Sequence, residues 1–330
     1  MKFFKKKNKA VTIPEKKNAI DLLKEQPGLW RMSETERKYM TISCKDTDYI
    51  KKVKSAGSII TIDNTKVQHM FNGIKVEYGG YHGDWMGDII RELRGHHEPQ
   101  EEKVFYEVMN RLGDGKTMIE LGSFWAYYSI WFNLKFKDAK NICCEPDPNN
   151  LNLGMRNAKL NKTKDIKFIR AAGGSKDNEN IQIEMESRNL ASEIVKIRTV
   201  DSLMKEHKWS NLDILHMDIQ GIEEQALIGA LETIKSRRLR FLFVSTHHYL
   251  FSNNPNTHQN VIDFILDNGG HIITSHTVAE SFSGDGLVVA SFSSRDADFV
   301  VETSINHTDK SLFRSPEEDL AILVKLYNKK

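Results

Sequence analysis

Two carboxylates, 25 residues apart, constrain most strongly what this chain can fold into. Glu120 lies at the end of one apolar run, just before Gly122, and Glu145 ends the next apolar run. A strand, a tight turn, a helix and a second strand fit this spacing, which places both carboxylates at the carboxyl edge of one parallel sheet. A carboxylate at the second strand end can accept hydrogen bonds from both hydroxyls of a ribose. The chain is therefore predicted to bind a nucleoside-containing cofactor.

The turn after the first strand indicates which cofactor this is. Dinucleotide-binding turns carry Gly-x-Gly-x-x-Gly, so that the backbone can approach a pyrophosphate. The residues after Gly122 are instead Ser123, Phe124, Trp125 and Ala126. The Glu120 carboxylate would also repel phosphate. This turn favours a cofactor with a cationic end and no phosphate, and S-adenosylmethionine fits: Glu120 can hold its ammonium group, and the Gly122 backbone its amino-acid part.

Composition indicates a globular protein without a strong electrostatic preference. The 330 residues are 28% charged and 39% hydrophobic, and the net charge is only +2, so no nucleic-acid partner is predicted. No apolar stretch approaches the roughly 20 residues of a membrane-spanning helix. The basic start, Met1–Lys9, lacks the apolar core of a secretory signal. It is predicted to be a solvated tail, with a weak membrane-surface role as the alternative.

The cysteines indicate a reducing compartment. Cys143 and Cys144 are adjacent on a predicted buried strand, and Cys44 is far away in the sequence. This spacing suits neither a disulfide framework nor a metal site. A cytoplasmic location is predicted, and nothing in the sequence specifies an oligomeric state.

Alternating apolar and helical segments predict an α/β fold in the central part of the chain. We assign residues 1–95 to an N-terminal extension, a candidate substrate lid or interaction region, residues 96–300 to the main domain, and 301–330 to a C-terminal helical extension. The predicted core strands are Thr117–Leu121, Asn141–Glu145, Ile166–Ala172, Asp213–Asp218 and Phe241–Thr246. The predicted helices between and around them include His97–Leu112, Tyr127–Phe136, Asn149–Leu160, Asp201–His207, Glu223–Ile234 and Thr257–Asn268. Continuous apolar strands alternating with helices are typical of a parallel sheet covered on both faces.

Two departures from this alternation refine the architecture. Extra strands are predicted at Ile181–Met185 and Ile194–Val200. The strands His271–Ser275 and Leu287–Phe292 are joined by a loop without a long helix, which predicts an antiparallel pair closing the sheet. An antiparallel hairpin on a mostly parallel sheet is the arrangement of the Rossmann-like, class I methyltransferase fold.

Four segments in order resemble the FkbM-type S-adenosylmethionine-dependent methyltransferases, over residues 96–292. They are Glu120–Ser129, Glu145–Asn149, Thr199–Leu203 and Leu215–Glu224. The sequence departs from the family pattern at Ala126, where a second glycine is usual, near Phe124, where an asparagine is usual, and at Gln220, where a glutamate is usual. The resemblance implies transfer of a methyl group to oxygen, often a hydroxyl of a sugar or secondary metabolite. It therefore implies a small-molecule or glycan acceptor.

The residues at the predicted strand ends are the candidates for cofactor binding. Glu145 is the predicted ribose partner. The alternative is a surface acid before the helix that starts near Pro148. The full predicted set comprises Glu120, Gly122, Ser123, Phe124, Glu145, Pro146, Ala172 and Asp218.

Asp218, His247 and His248 are the candidate catalytic residues, because each follows a predicted core strand at the same sheet edge. A neutral imidazole could take the proton of an attacking hydroxyl. The sequence does not favour one histidine over the other, and a merely exposed or hydrogen-bonded histidine is the alternative for both. Asp218 with either histidine could also ligate a divalent metal, but two ligands fall short of a coordination set, so no metal is predicted.

The N-terminal extension carries aromatic and histidine residues that could wall a substrate site, since aromatic rings stack well on sugars or adenine. These are Tyr81, His82, Asp84, Trp85, His96 and His97. Simple packing on the core is the favoured interpretation of this group, and also of Tyr127, Tyr128 and Trp131.

Two rival functions stay open. One is a nicotinamide-dependent oxidoreductase, against which the missing glycines argue. The other is a methyltransferase-fold module that binds without turnover.

Overall fold

The computed structural model describes residues 17–185, 187, 191–307 and 310–328; the basic segment Met1–Lys9 lies outside them. The helices are α1 Ala19–Lys24, α2 Glu34–Ser43, α3 Gly83–Glu92, α4 Pro99–Leu112, α5 Tyr127–Lys135, α6 Pro148–Leu160, α7 Val200–Glu206, α8 Glu223–Ile228, α9 Leu231–Lys235, α10 Tyr249–Ser252, α11 Thr257–Asp267 and α12 Pro316–Tyr327. The strands are β1 Ile59–Ile62, β2 Thr65–His69, β3 Lys75–Glu77, β4 Thr117–Leu121, β5 Lys140–Cys144, β6 Ile166–Ile169, β7 Ala172–Gly173, β8 Asn180–Met185, β9 Ala191–Arg198, β10 Leu212–Met217, β11 Leu239–Thr246, β12 His271–His276 and β13 Gly286–Ser291.

Seven of these strands form the central sheet in the order β12-β13-β11-β10-β4-β5-β6. The five strands from β11 to β6 are parallel, so their carboxyl ends meet at one edge. The strand β13 is antiparallel to both β11 and β12. The predicted α/β fold, Rossmann-like with a closing antiparallel hairpin, is confirmed.

Buried side chains pack on both faces of this sheet. On one face, residues of α4 and α5 share a hydrophobic cluster with buried residues from Ile50 to Leu93. On the other face, α7, α8, α9 and α11 form the second cluster. The extension therefore contributes to the core of the main domain, while the assignment of residues 1–95, 96–300 and 301–330 as separate units stays a prediction.

Two predicted elements differ from the observed ones. The strand predicted at Ile166–Ala172 ends at Ile169, and Ala172–Gly173 instead pair with β9 in a small second sheet. The helix predicted at Glu223–Ile234 divides into α8 and α9. At the break, the Gly229 carbonyl accepts the Asp201 N–H at 3.0 Å, and the Asp201 carboxylate accepts the N–H groups of Glu232 and Thr233 at 2.9 and 2.8 Å in the first turn of α9. The predicted extra strands are present as β8 and β9.

Candidate functional site

The β4–α5 loop has an unusual backbone. Gly122, Phe124 and Ala126 have positive φ angles of 75°, 39° and 60°. A Cβ at Gly122 would lie 1.8 Å from the carbonyl oxygen of Asp218, so only glycine fits between β4 and β10 here. Non-glycine residues in the left-handed region cost about 1–2 kcal/mol each. Such strain concentrates at ligand-binding sites, which makes this loop a candidate cofactor loop.

Glu145 closes the loop onto the end of β5. One carboxylate oxygen accepts a hydrogen bond from the Phe124 backbone N–H at 2.9 Å, and the other from the Asp147 N–H at 2.8 Å. The side chain is buried, and burial raises its pKa to about 7 against the effect of these two bonds. Asp147 in turn caps α6 by accepting from the Asn149 N–H. Glu145 is thus held at the sheet edge, with lone pairs still available to further donors.

Glu120 has different contacts from Glu145. Its carboxylate is buried between β4 and α5 and accepts the Ser129 N–H at 3.1 Å, in the first turn of that helix. Burial raises its pKa to about 7, partly offset by His216 and Ser129. These contacts anchor the helix to the strand. The predicted role of Glu120 in holding an ammonium group stays a prediction.

The other predicted cofactor residues each come after a strand of the central sheet. Ser123 is buried and donates its N–H to the Cys144 carbonyl at 3.1 Å. Pro146 is half-buried, and its carbonyl accepts from the Arg170 Nε at 3.2 Å. Ala172 is buried in β7, outside the central sheet.

His247 follows β11 and is surrounded by carboxylates from the end of β10, the start of α8 and the loop before β13. Its Nδ1 lies 2.7 Å from Glu223 Oε1, and its Nε2 lies 3.2 Å from Asp218 Oδ1 and 3.7 Å from Asp285 Oδ1. The Gln220 amide lies 3.0 Å from the same Nε2. Burial acts against a charge on this imidazole, but Asp285, Glu223 and Asp218 outweigh it and raise its pKa well above the ordinary value. The surrounding carboxylates therefore favour the imidazolium form of His247.

His248 lies in a different environment. Its ring stacks on Phe313 at 4.1 Å, and its Nδ1 accepts from the Leu250 N–H at 3.2 Å, which caps α10. Burial lowers its pKa to about 4. The structure thus places His247 with Asp218, and places His248 against the C-terminal segment.

Asp285 was not among the sequence candidates. Burial and the neighbouring Asp218 and Glu98 raise its pKa to about 6, partly offset by His247. It lines a narrow cleft together with Glu98, Glu101, Asp218, Ser245 and Ser283. One feature of the sequence could have identified Asp285: it lies between two glycines, Gly284 and Gly286, just before β13.

Tyr81 brings the N-terminal extension to this edge. Its ring stacks on Trp125 at 4.4 Å with an interplanar angle of 6°, and lies edge-on to Phe124 at 5.0 Å. Burial, followed by Glu98, Asp218 and Asp285, raises the pKa of its hydroxyl well above the usual range. Tyr81 therefore stands next to both the loop and the acidic cleft.

The remaining aromatic and histidine candidates serve packing. The Trp85 Nε1 donates to the Glu34 carbonyl at 2.9 Å. His96 and His97 are buried and both contact the Glu102 carboxylate. Burial acts against the His97 charge, but Glu98 and Glu102 raise its pKa to about 10. Tyr127, Tyr128 and Trp131 are in the core, as predicted.

The described residues show neither a metal-binding cluster nor a membrane-spanning helix. In that part of the chain, no group of three or more His, Cys, Asp or Glu side chains is placed to hold a metal ion. None of the helices described there has the length and apolar character needed to cross a membrane. The three cysteines are free and buried.

Comparisons with known proteins agree with this architecture. The family model described as the methyltransferase FkbM domain matches residues 107–272. No curated protein matches the chain.

Solved structures match with low scores. A precorrin-6y C5,15-methyltransferase from Geobacter metallireducens GS-15 has 13% identity and a TM-score of 0.34, covering 57% of this chain and 87% of its own. A SAM dependent methyltransferase from Aquifex aeolicus has 12% identity and a TM-score of 0.34, covering 57% and 89%. Magnesium protoporphyrin IX methyltransferase from Synechocystis PCC 6803, with bound SAM, has 13% identity and a TM-score of 0.37, covering 59% and 80%.

Proposed function

Because the chain belongs to the FkbM methyltransferase family, we propose that it is an S-adenosylmethionine-dependent enzyme that methylates a hydroxyl group of a sugar or secondary-metabolite-like acceptor. One observation carries this proposal. Glu145, Gly122, Asp218 and His247 follow four adjacent parallel strands, β5, β4, β10 and β11, and so share one sheet edge. The proposed cofactor residues Glu145 and Gly122 therefore follow strands next to those that carry Asp218 and His247.

The residues of the β4 and β5 edge suit a nucleoside. Burial raises the pKa of the Glu145 carboxyl to about 7. Its ionised form would therefore be stabilised by further hydrogen-bond donors. A ribose diol offers two hydroxyl donors to such a carboxylate. Gly122 has no side chain, so its backbone is open to a ligand at that point of the loop.

S-adenosylmethionine supplies an electrophilic methyl group on a sulfonium, so the protein has mainly to align the acceptor oxygen and receive its proton. As the new carbon–oxygen bond forms and the carbon–sulfur bond breaks, the hydroxyl proton must pass to a base. The carboxylates around His247 favour its imidazolium form, which has no lone pair to accept this proton. Asp218 and Asp285 flank His247 and line the cleft. We assign the base to Asp285, whose pKa of about 6 lies nearer to neutral pH, as general-base catalysis favours.

The cleft has a volume of only about 10 Å³, so its walls would have to move apart to admit an acceptor. The polar groups that line it favour a polyhydroxylated acceptor. Glu98, Asp218 and Asp285 are hydrogen-bond acceptors for hydroxyl groups, and the Ser245 and Ser283 hydroxyls can donate or accept. Tyr81, stacked on Trp125, offers an aromatic surface of the kind that packs on sugar faces. Acid groups beside an aromatic ring also suit a cationic amine, and the acceptor screen below separates the two.

Calorimetric titration tests the cofactor part of the proposal. Wild type should bind S-adenosylmethionine, and NAD should not bind. Glu145→Ala should weaken S-adenosylmethionine binding by about 1–3 kcal/mol, the usual cost of an unsatisfied polar group. Glu193→Ala, a carboxylate on β9, is the matched control. Absence of S-adenosylmethionine binding would contradict the proposal and favour a module that binds another partner.

A radiolabelled methyl-transfer screen tests the acceptor part. The panel should pair sugars and phenols with the corresponding amines. Transfer to hydroxyl acceptors, lost in Asp285→Asn and retained in Asp263→Asn on α11, is the expected result. Transfer to the amines alone would contradict a hydroxyl acceptor and indicate that the enzyme methylates a cationic amine.

A further inference from the structure

A second cleft lies at the opposite edge of the central sheet, where β10 and β11 begin and β13 ends. Its volume is about 540 Å³, within the range of roughly 300–1,000 Å³ that small-ligand sites occupy. Four arginines line it: Arg237, Arg238, Arg240 and Arg295. The cleft is thus strongly basic in a chain whose net charge is only +2.

Two of these arginines have no acidic partner. Arg240 is neutralised by Asp296, which accepts from its Nε at 2.9 Å and its terminal nitrogen at 2.8 Å. Arg238 has one long contact with Glu232, at 3.4 Å. Among the described residues, no carboxylate lies within ion-pair distance of Arg237 or Arg295. Their charge is therefore available to an anion.

Arg237 is held in position by the fold. It follows α9 with a φ of 56°, in the left-handed region where glycine or asparagine is favoured at helix ends. One guanidinium nitrogen donates to the Gly269 carbonyl at 3.0 Å. A Cβ at Gly269 would come within 2.5 Å of the other terminal nitrogen, so the guanidinium packs directly against this glycine.

Neutral donors complete the lining. His271, at the start of β12, lines the cleft, and its Nε2 is buried without a hydrogen-bond partner among the described residues. The Ser293 hydroxyl lies 3.4 Å from the Arg295 Nε. The one carboxylate in the lining, Asp213, already accepts the N–H groups of Lys116 and Thr117 at 2.8 and 3.0 Å. A set of guanidinium, imidazole and hydroxyl donors suits phosphate oxygens.

We propose that this cleft binds a small phosphate-bearing molecule. The limited volume of the cleft and the presence of Arg237, Arg295 and His271 in one lining favour a compact di- or monophosphate group. An extended polyanion would need basic residues spread along a surface. The site is at the opposite sheet edge from Glu145 and Asp218. It is independent of methyl transfer and does not rest on the proposed function.

The test is calorimetric titration of the full chain with inorganic pyrophosphate and with inorganic phosphate, at about 0.15 M salt, where exposed charges are screened beyond about 8 Å. Wild type should bind pyrophosphate, and Arg237→Gln/Arg295→Gln should weaken binding at least about tenfold by removing two charge-assisted contacts. Lys51→Gln/Lys54→Gln removes the same charge at exposed lysines far from the cleft. This control should keep the wild-type affinity within about twofold.

The single variant Arg295→Gln controls for a folding defect in the double variant. Arg237 also supports the Gly269 turn, whereas Arg295 is exposed. Unchanged thermal unfolding with weaker pyrophosphate binding supports the proposal. Three results would overturn it: no binding of either probe by wild type, equal weakening in the lysine control, or binding of an RNA oligonucleotide without terminal phosphates while pyrophosphate does not bind.

Discussion

The two halves of the candidate site are built differently. The half around β4 and β5 uses one continuous segment, from Glu120 to Asp147, and its carboxylates are held by backbone N–H groups. The half around β10, β11 and β13 joins segments that are far apart in the chain, including Tyr81, Glu98 and Asp285, and its carboxylates are held by the charge of His247.

The difference shows how a fixed part and an adjustable part of a site can share a sheet edge. Backbone hydrogen bonds depend on the fold and tolerate few changes in the loop. An ion cluster depends on side chains, and a single substitution alters its protonation. The first half should therefore respond to substitution through folding and binding, and the second through pH dependence and rate.

The largest effect is expected from Gly122→Ala. The added Cβ would lie 1.8 Å from the Asp218 carbonyl, so β4 and β10 would have to separate at the site. Gly28→Ala is the matched control, with a φ of 76° and no atom within 4 Å of the added Cβ. Urea unfolding should show a loss of about 1–2 kcal/mol for the control and a much larger loss, or no folding, for Gly122→Ala. Equal losses of stability in the two variants would show that the close approach of Gly122 to the Asp218 carbonyl is not required.

His247→Gln should lower kcat/KM about a hundredfold or more, within the range of about 10²–10⁴ seen for groups that control proton transfer. Without the imidazolium, the pKa values of Asp218 and Asp285 should rise, and the acidic limb of the pH–rate profile should move to higher pH. His248→Gln should stay within about threefold of wild type with an unshifted profile. Matching losses in both variants would remove the distinction between the two histidines.

Glu145 should give S-adenosylmethionine binding a pH dependence. Hydroxyls donated to the carboxylate favour its ionised form, so binding should lower the pKa from about 7 and release a proton. Affinity should then increase about tenfold between pH 6 and 8, as linkage requires. In Glu145→Gln, the affinity should change less with pH than in wild type, because this carboxyl is absent. An identical slope in both proteins, measured by calorimetry in two buffers, would refute the assignment.

The smallest effect is expected from Ala126→Gly. Relief of the left-handed strain would gain about 1–2 kcal/mol, but the variant loses a buried methyl group worth about 0.8 kcal/mol and adds about 0.5–1 kcal/mol of backbone entropy cost. The free energy of unfolding should therefore change by less than about 1 kcal/mol. A large stabilisation would mean that the absence of the family glycine weakens this loop in the native protein.

The sequence predicted the first half of the site better than the second, for physical reasons. Glu145 and Gly122 are placed by strand ends and a turn, which local patterns indicate. His247 and His248 are adjacent, and their different environments depend on Glu223 and on Phe313, which is distant in the chain. Asp285 follows the same logic, since only the antiparallel return of β13 beside β11 brings it to the edge. The break in the helix at Gly229 likewise involves a residue distant in the chain, Asp201, which bonds to the Gly229 carbonyl and caps α9.

The stacking of Tyr81 on Trp125 has an evolutionary consequence. Trp125, like Gly122, Glu145, Asp218 and His247, lies within residues 107–272, which the family model matches. Tyr81, Glu98 and Asp285 lie outside it. The segment that the family model matches thus carries the residues proposed to face the nucleoside, whereas the flanking segments carry much of the cleft wall. Lineages that keep the shared segment and exchange its flanks can diversify their acceptors, and chains with equal matches to the family can differ in what they modify.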